Sequence, residues 1–328
     1  MTVAAAGVAR RLAEELLAPA AAEVEATGVL PRGHLDALAA AGLYGVVGPA
    51  AAGGLGGDGA ALAAVAEELA AGDLATAFVW LQHHGVVGRL AAAGTAPELL
   101  ADLCAGRVRA GIALQAATRP DAAPVTVRRD GPDLVLDGAV PWVTGWGLVD
   151  VVLVAARDGD DVAFVLADAV PGPTLAACPQ DLVAVQASAT VELRFSGHRV
   201  PAGRLLGTTP LAEVRAGDAA GLRTNGSLAL GLVLRCARLL GPSPLDDDLA
   251  AARARLDTAG ADGLPAARAE AAALAHRAAG ALVVATGSGA AHAGSVAART
   301  AREAVFLLVF GSRPAIRRAL LDRLGAAR

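Results

Sequence analysis

Apolar and polar positions along this chain change their period twice. From Met1 to about Arg109 the apolar residues recur at helical spacing, with glycine-rich turns between the runs. Residues 32–43 are expected as one helix stopped by Gly42 and Gly45. A loop from Gly48 and Pro49 through Gly59 leads into a helix over 60–71, and another follows over 75–92 with Thr76 near its start. From Ala110 to about Gly207 the apolar residues come instead in short β-branched runs, at 125–128, 134–136, 151–154, 163–166 and 190–195. Turn pairs such as Asp130-Gly131 and Asp158-Gly159 separate them, which predicts a meander of strands forming a small barrel or sandwich. Helical spacing returns from Leu211, broken at Pro242, Pro244, Gly260, Gly263 and Gly311. The expectation is an α+β chain: an N-terminal helical domain over 1–109, a middle β domain over 110–210 and a C-terminal helical bundle over 211–328.

Composition narrows the function classes. At 328 residues the chain can bury a large core. A net charge of -4 and a pI near 5.9, with no dense basic stretch, argue against a nucleic-acid binder. All 28 basic residues are arginine, and with the abundant alanine this reflects GC-rich coding rather than a functional device. Mean hydropathy of +0.50 suggests a membrane protein, but the most apolar stretch, 228–240, contains Arg235 and Arg238. Arg10, Arg11, Glu14 and Glu15 stand where a secretory leader would be apolar. Cys104, Cys178 and Cys236 are scattered and flanked by apolar residues, as expected of buried thiols in a reduced cytoplasmic protein without a disulfide frame or metal site. The run Asp246-Asp247-Asp248 is expected as the charged N-terminus of a helix beginning near Leu245.

Four segments, in order, resemble the acyl-CoA dehydrogenase family. Gly42-Leu-Tyr-Gly-Val-Val-Gly-Pro49, Gly53-Gly-Leu-Gly56, Glu67-Glu68-Leu-Ala and Asp73 resemble its N-terminal helical domain. Leu136-Asp-Gly-Ala-Val-Pro-Trp142-Val-Thr144 is similar to its Gly-x-Lys-x-Trp-Ile-Thr strand. Ala187-Ser-Ala-Thr190, Phe195, Arg199-Val-Pro201 and Leu205-Leu-Gly207 resemble the exit from its β domain. Arg299-x-x-Arg302-Glu303-Ala304 resembles its Arg-x-x-Arg-Asp-Ala helix.

The resemblance implies a flavoprotein that oxidises an acyl thioester, with FAD as cofactor and acyl-CoA as substrate. A glutamate takes the α-proton in such enzymes, help worth about 10²–10⁴ in rate. Counting from Arg302, that glutamate falls on Gly311, with Ile316 on a family isoleucine; the base is missing. Members that carry it on the first helix of the C-terminal domain find no counterpart in 221–235. Asp218, one turn earlier, is the low-odds substitute, and its plainer role is a helix N-terminal charge. Gly311 keeps an amide N–H that in the family binds the thioester oxygen, although glycine is also the ordinary residue of such a turn. By the same resemblance Trp142 and Thr144 face the flavin, Gln115 replaces a flavin-facing threonine, and Gly287 and Gly289 form the loop that approaches the dinucleotide. The family's Arg-x-x-Phe-Gly segment, which reaches the pyrophosphate across a dimer, has no counterpart. His83 and His84 point to different helix faces; His84 is the candidate for the acyl pocket, with a structural role as the plainer reading. Arg128 and Arg129 are expected as solvated hairpin cations.

Three functions follow. The first is the base-less subunit of a heteromeric acyl-CoA dehydrogenase, in a homo- or hetero-oligomer with a homologous chain. The second is a flavin-dependent monooxygenase on the same fold, and the third a cofactor-free binding or scaffold protein.

Overall fold

The computed structural model describes residues 2–118, 123–219 and 221–326. Helix α1 (Thr2–Leu12) passes through one π-helical turn, Ala13–Leu17, into α2 (Ala18–Thr27). Helix α3 covers Arg32–Ala40 and stops short of the expected end, because Gly42 is left-handed (φ 74°) and opens a 3-10 turn at Leu43–Gly45. The following loop folds tightly on itself: a Cβ at Gly54 would fall 2.2 Å from the Gly48 carbonyl oxygen, and one at Gly48 2.3 Å from Cys104 Sγ. Helices α4 (Gly59–Gly72) and α5 (Leu74–Ala93) extend the expected ones by a residue or two, each started by an aspartate cap. Asp58 accepts from the Ala61 N–H at 2.9 Å, and Asp73 accepts from both the N–H and the hydroxyl of Thr76, at 2.8 and 2.6 Å. Helix α6 is Pro97–Cys104.

The middle segment holds β1 (Ala110–Ala113), a short α7 (Gln115–Thr118), β2 (Thr126–Asp130), β3 (Asp133–Val143), β4 (Val151–Asp158), β5 (Asp161–Asp168), β6 (Leu175–Pro179), β7 (Val191–Pro201) and β8 (Leu205–Pro210). They form one eight-stranded sheet in the order β6-β7-β3-β2-β4-β5-β8, with β1 on β4. The β2–β3 and β4–β5 hairpins match the expected meander, but β1 and β2 both meet β4 in parallel, so the sheet is mixed. Strands β1, β6 and β8 had no sequence signal: they are short and interrupted by alanine, glycine or proline, which are poor strand markers.

The C-terminal segment comprises α8 (Leu211–Ala216), α9 (Leu222–Leu240), α10 (Pro244–Thr258), α11 (Leu264–Thr286), a 3-10 turn at Gly287–Ala291, α12 (Val296–Val309) and α13 (Pro314–Arg323). The aspartate run is explained locally: Ser243 and Asp246 form a reciprocal capping box that starts α10, and Asp248 pairs with Arg277 at 2.6 Å. No cluster of metal-binding side chains occurs among the described residues. Cys104 and Cys236 are buried as expected, whereas Cys178 on β6 is half-buried. Among the described residues no helix is long and apolar enough to cross a membrane.

One apolar core is shared by the first and last helical segments, running from Leu17, Leu38 and Leu69 to Leu230, Leu274 and Leu307. A second fills the inner face of the sheet, and a third lies between its outer face and α5–α6. Charge is buried with the helices. Arg235 of α9 pairs with Glu303 of α12 and also donates to the carbonyls of Ala70 and Ala71, each at 2.8 Å. Glu67 of α4 accepts from Arg253 of α10 at 2.8 Å. These pairs tie the motif Glu67-Glu68-Leu-Ala to the C-terminal bundle.

Candidate active site

The turn after α12 is held from behind. Arg268 of α11 is fully buried and donates from one Nη to the carbonyls of Leu307 and Phe310, at 3.0 and 3.4 Å. Burial lowers its pKa to about 10. Gly311 then turns left-handed (φ 61°), and the space where its side chain would begin is open, with the amide nitrogen of Asn225 on α9 at 3.7 Å. Phe78 of α5 closes another side, edge-on to Phe306 and Phe310 at ring separations of 5.5 and 4.9 Å. Within 4 Å of a side chain's starting point at 311 there is therefore an amide and no carboxylate among the described residues. The Asp218 side chain lies outside the described residues.

The β domain presents its own part of the site to the same turn of α5. Between Val140 and Val143 the β3–β7 ladder slips, and Trp142 occupies this bulge with φ +64°, a conformation rare for a bulky residue. The bulge turns the indole outward, leaving it 47% exposed. Two residues on, Thr144 is buried; its hydroxyl lies 3.2 Å from that of Thr190, which lies 2.8 Å from Ser188 Oγ. Gly145 abuts α5, its Cβ position 3.3 Å from Val79 Cγ1. Since Val79 follows Phe78, the segment just after the Trp142 bulge and the Gly311 turn meet adjacent faces of one turn of α5, about 100° apart.

The other sequence-derived candidates are distributed around this centre. Gln115 begins α7, which packs on β3 and β4, so it stands beside the strand bearing Trp142. Gly287 (φ +67°) and Gly289 belong to the turn at the end of α11, packed on α11 and α12, a different part of the molecule from β3. His83 is structural: its Nδ1 accepts the Ala110 N–H and its Nε2 faces the Leu103 carbonyl, both at 3.1 Å. His84 is buried too, edge-on to Trp80 at 4.3 Å, and neither ring nitrogen has a protein partner. Arg128 and Arg129 are exposed on β2, as expected. Asn225, Phe78 and Arg268 escaped the sequence reading. Residues 221–235 show no carboxylate, and nothing in the local pattern marks the amide as facing Gly311.

Comparison with known proteins agrees with this fold. Residues 3–106 match the family described as acyl-CoA dehydrogenase, N-terminal domain. The probable acyl-CoA dehydrogenase FadE25 of Mycobacterium tuberculosis is 30% identical over 210 residues, covering 60% of this chain and 54% of that protein. The matched stretch thus spans about half the length of that relative. Butyryl-CoA dehydrogenase from Megasphaera elsdenii superimposes with a TM-score of 0.84 at 19% identity, over 99% of this chain and 97% of the other. The FAD complex of PigA superimposes at 0.82 with 17% identity, over 99% and 97% of the two chains. By the sequence of residues 3–106 and by its fold as a whole, the chain is similar to the acyl-CoA dehydrogenases.

Proposed function

We propose that this chain binds FAD and an acyl thioester but supplies no base, and that it works as the incomplete subunit of a heteromeric acyl-CoA dehydrogenase. The observation carrying the proposal is the Gly311 turn: a backbone N–H and the Asn225 amide in an open space where a carboxylate is needed. The flavin-facing half of the site fits the cofactor, because Trp142 offers an exposed planar face on a bulge with the Thr144–Thr190–Ser188 hydroxyls behind it. Bound FAD would supply the hydride acceptor. Trp142 would cover the ring system, and Phe78, Phe306 and Phe310 would exclude water from the acyl group. The Gly311 N–H would donate to the thioester oxygen. Gly287 and Gly289, on the bundle, suit a contact to the dinucleotide end made across a subunit interface. A homologous partner would bring the base and the missing pyrophosphate contact, in the cytoplasm.

Purification alone and after co-expression with a neighbouring homologue tests the reading. The expected result is a colourless or weakly yellow chain that gains stoichiometric flavin with its partner. A yellow, self-sufficient homomer points instead to the monooxygenase. A chain colourless with every partner leaves a scaffold. Gly311→Glu probes the pocket directly: it meets no clash, costs about 1–2 kcal/mol for the left-handed backbone, and should bring dehydrogenase activity to the flavin-loaded complex.

A further inference from the structure

Farther along α5, on the flank of the β domain, lies a groove of about 590 Å³. Its lining includes His84, Gly88, Arg89, Ala92 and Ala93 from the helix, and Leu206, Thr208 and Thr209 from β8. Arg89 is eleven residues beyond Phe78, about 16 Å of helix, so the groove is separate from the Gly311 turn. Two of its polar groups lack partners. Arg89 lies flat on Phe164, its guanidinium carbon 3.3 Å from the ring centroid, and has no hydrogen bond or ion pair among the described residues. His84 is only 3% exposed, and both of its ring nitrogens are unpartnered.

We propose that this groove binds a small organic carboxylate, with the carboxylate forked on Arg89, a polar substituent at His84, and the hydrocarbon part against Ala92, Ala93 and Leu206. A half-buried cation without a counter-ion is costly, and no acidic side chain lines the groove to offset it. Stacking on Phe164 fixes the guanidinium plane and leaves its N–H edge free for a planar, bidentate partner. One cation matches one negative charge; a phosphate dianion would call for a second, and none lines the groove. Burial keeps the His84 imidazole neutral, so it offers one donor and one acceptor, which suits a hydroxyl or carbonyl on the ligand. The apolar wall selects a ligand with a hydrocarbon body over a bare ion. The proposal does not depend on flavin or on a thioester at the Gly311 turn.

Isothermal titration calorimetry on the full chain with hexanoate, 3-hydroxybutyrate, inorganic phosphate and hexan-1-ol tests it. Saturable binding of the carboxylates is expected, with neither phosphate nor the alcohol binding. Arg89→Met should weaken the carboxylates at least tenfold, and Arg89→Lys should restore part of the loss. Gly88→Leu fills the groove from a helical position with no atom within 4 Å of its Cβ, so it should abolish binding without lowering the melting temperature. Carboxylate affinity unchanged in Arg89→Met or Gly88→Leu overturns the proposal. So does binding of phosphate in place of the carboxylates, or the absence of binding by either carboxylate to the folded wild-type chain.

Discussion

At His83 the imidazole bridges the Ala110 N–H and the Leu103 carbonyl, and burial lowers its pKa to about 3. The folded state therefore holds this ring neutral while the unfolded chain protonates near 6.5. Its stabilising contribution is complete above pH 6.5 and is lost as pH falls toward 3, at about 1.4 kcal/mol per unit. Glu67 and Glu303, raised by burial, act in the opposite sense, so the comparison must be between His83→Asn and the parent. Urea midpoints between pH 4 and 7 should show the parent losing stability more steeply than the variant on acidification; parallel profiles would refute the assignment. Residue-scale chemistry was legible where spacing alone fixes a position. Counting from Arg302 along the family pattern led to Gly311, and the structure shows an open left-handed glycine there. Partners brought in from other elements were illegible: the Asn225 amide opposite Gly311, and the bulge that turns Trp142 outward.

Helices α4, α9 and α12 are joined at one buried point, where Arg235 meets Glu303 and the end of α4. Arg299 adds a second cation, its Nε 3.7 Å from Glu303. Removing one member of such a cluster leaves the others charged in a low-dielectric interior, which typically costs about 3–5 kcal/mol. Glu303→Gln should lower stability by an amount in that range, measured by urea denaturation; a loss under about 1 kcal/mol would show that water reaches the cluster. Elements with a strong period were legible almost to the residue, as with α5, expected over 75–92 and found over Leu74–Ala93. Weak strands were not, because Ala110–Ala113 and Leu205–Pro210 take their extended form from neighbours in the sheet rather than from their own side chains.

Across the whole molecule, the two changes of period were visible in the sequence, but the joining of the two helical segments in one core was not. Periodicity says which face of a helix is apolar; it does not say what that face will meet. Because Leu69 and Leu230 belong to one core, the two segments should unfold together. In a Trp142→Phe/Trp146→Phe background, Trp80 fluorescence reports on the N-terminal helices. Glu303→Gln, in the C-terminal bundle, should shift that transition by as much as it shifts the far-UV circular dichroism. A Trp80 transition that stays in place would mean that the two segments unfold separately.

The tether from Arg268 has a consequence for how this pocket could change over time. A loop anchored by its own carbonyls to a residue of a neighbouring helix keeps its course whatever side chain it displays. Position 311 is then a socket rather than a structural member, and an acid could be fitted or withdrawn there without rebuilding the walls around it.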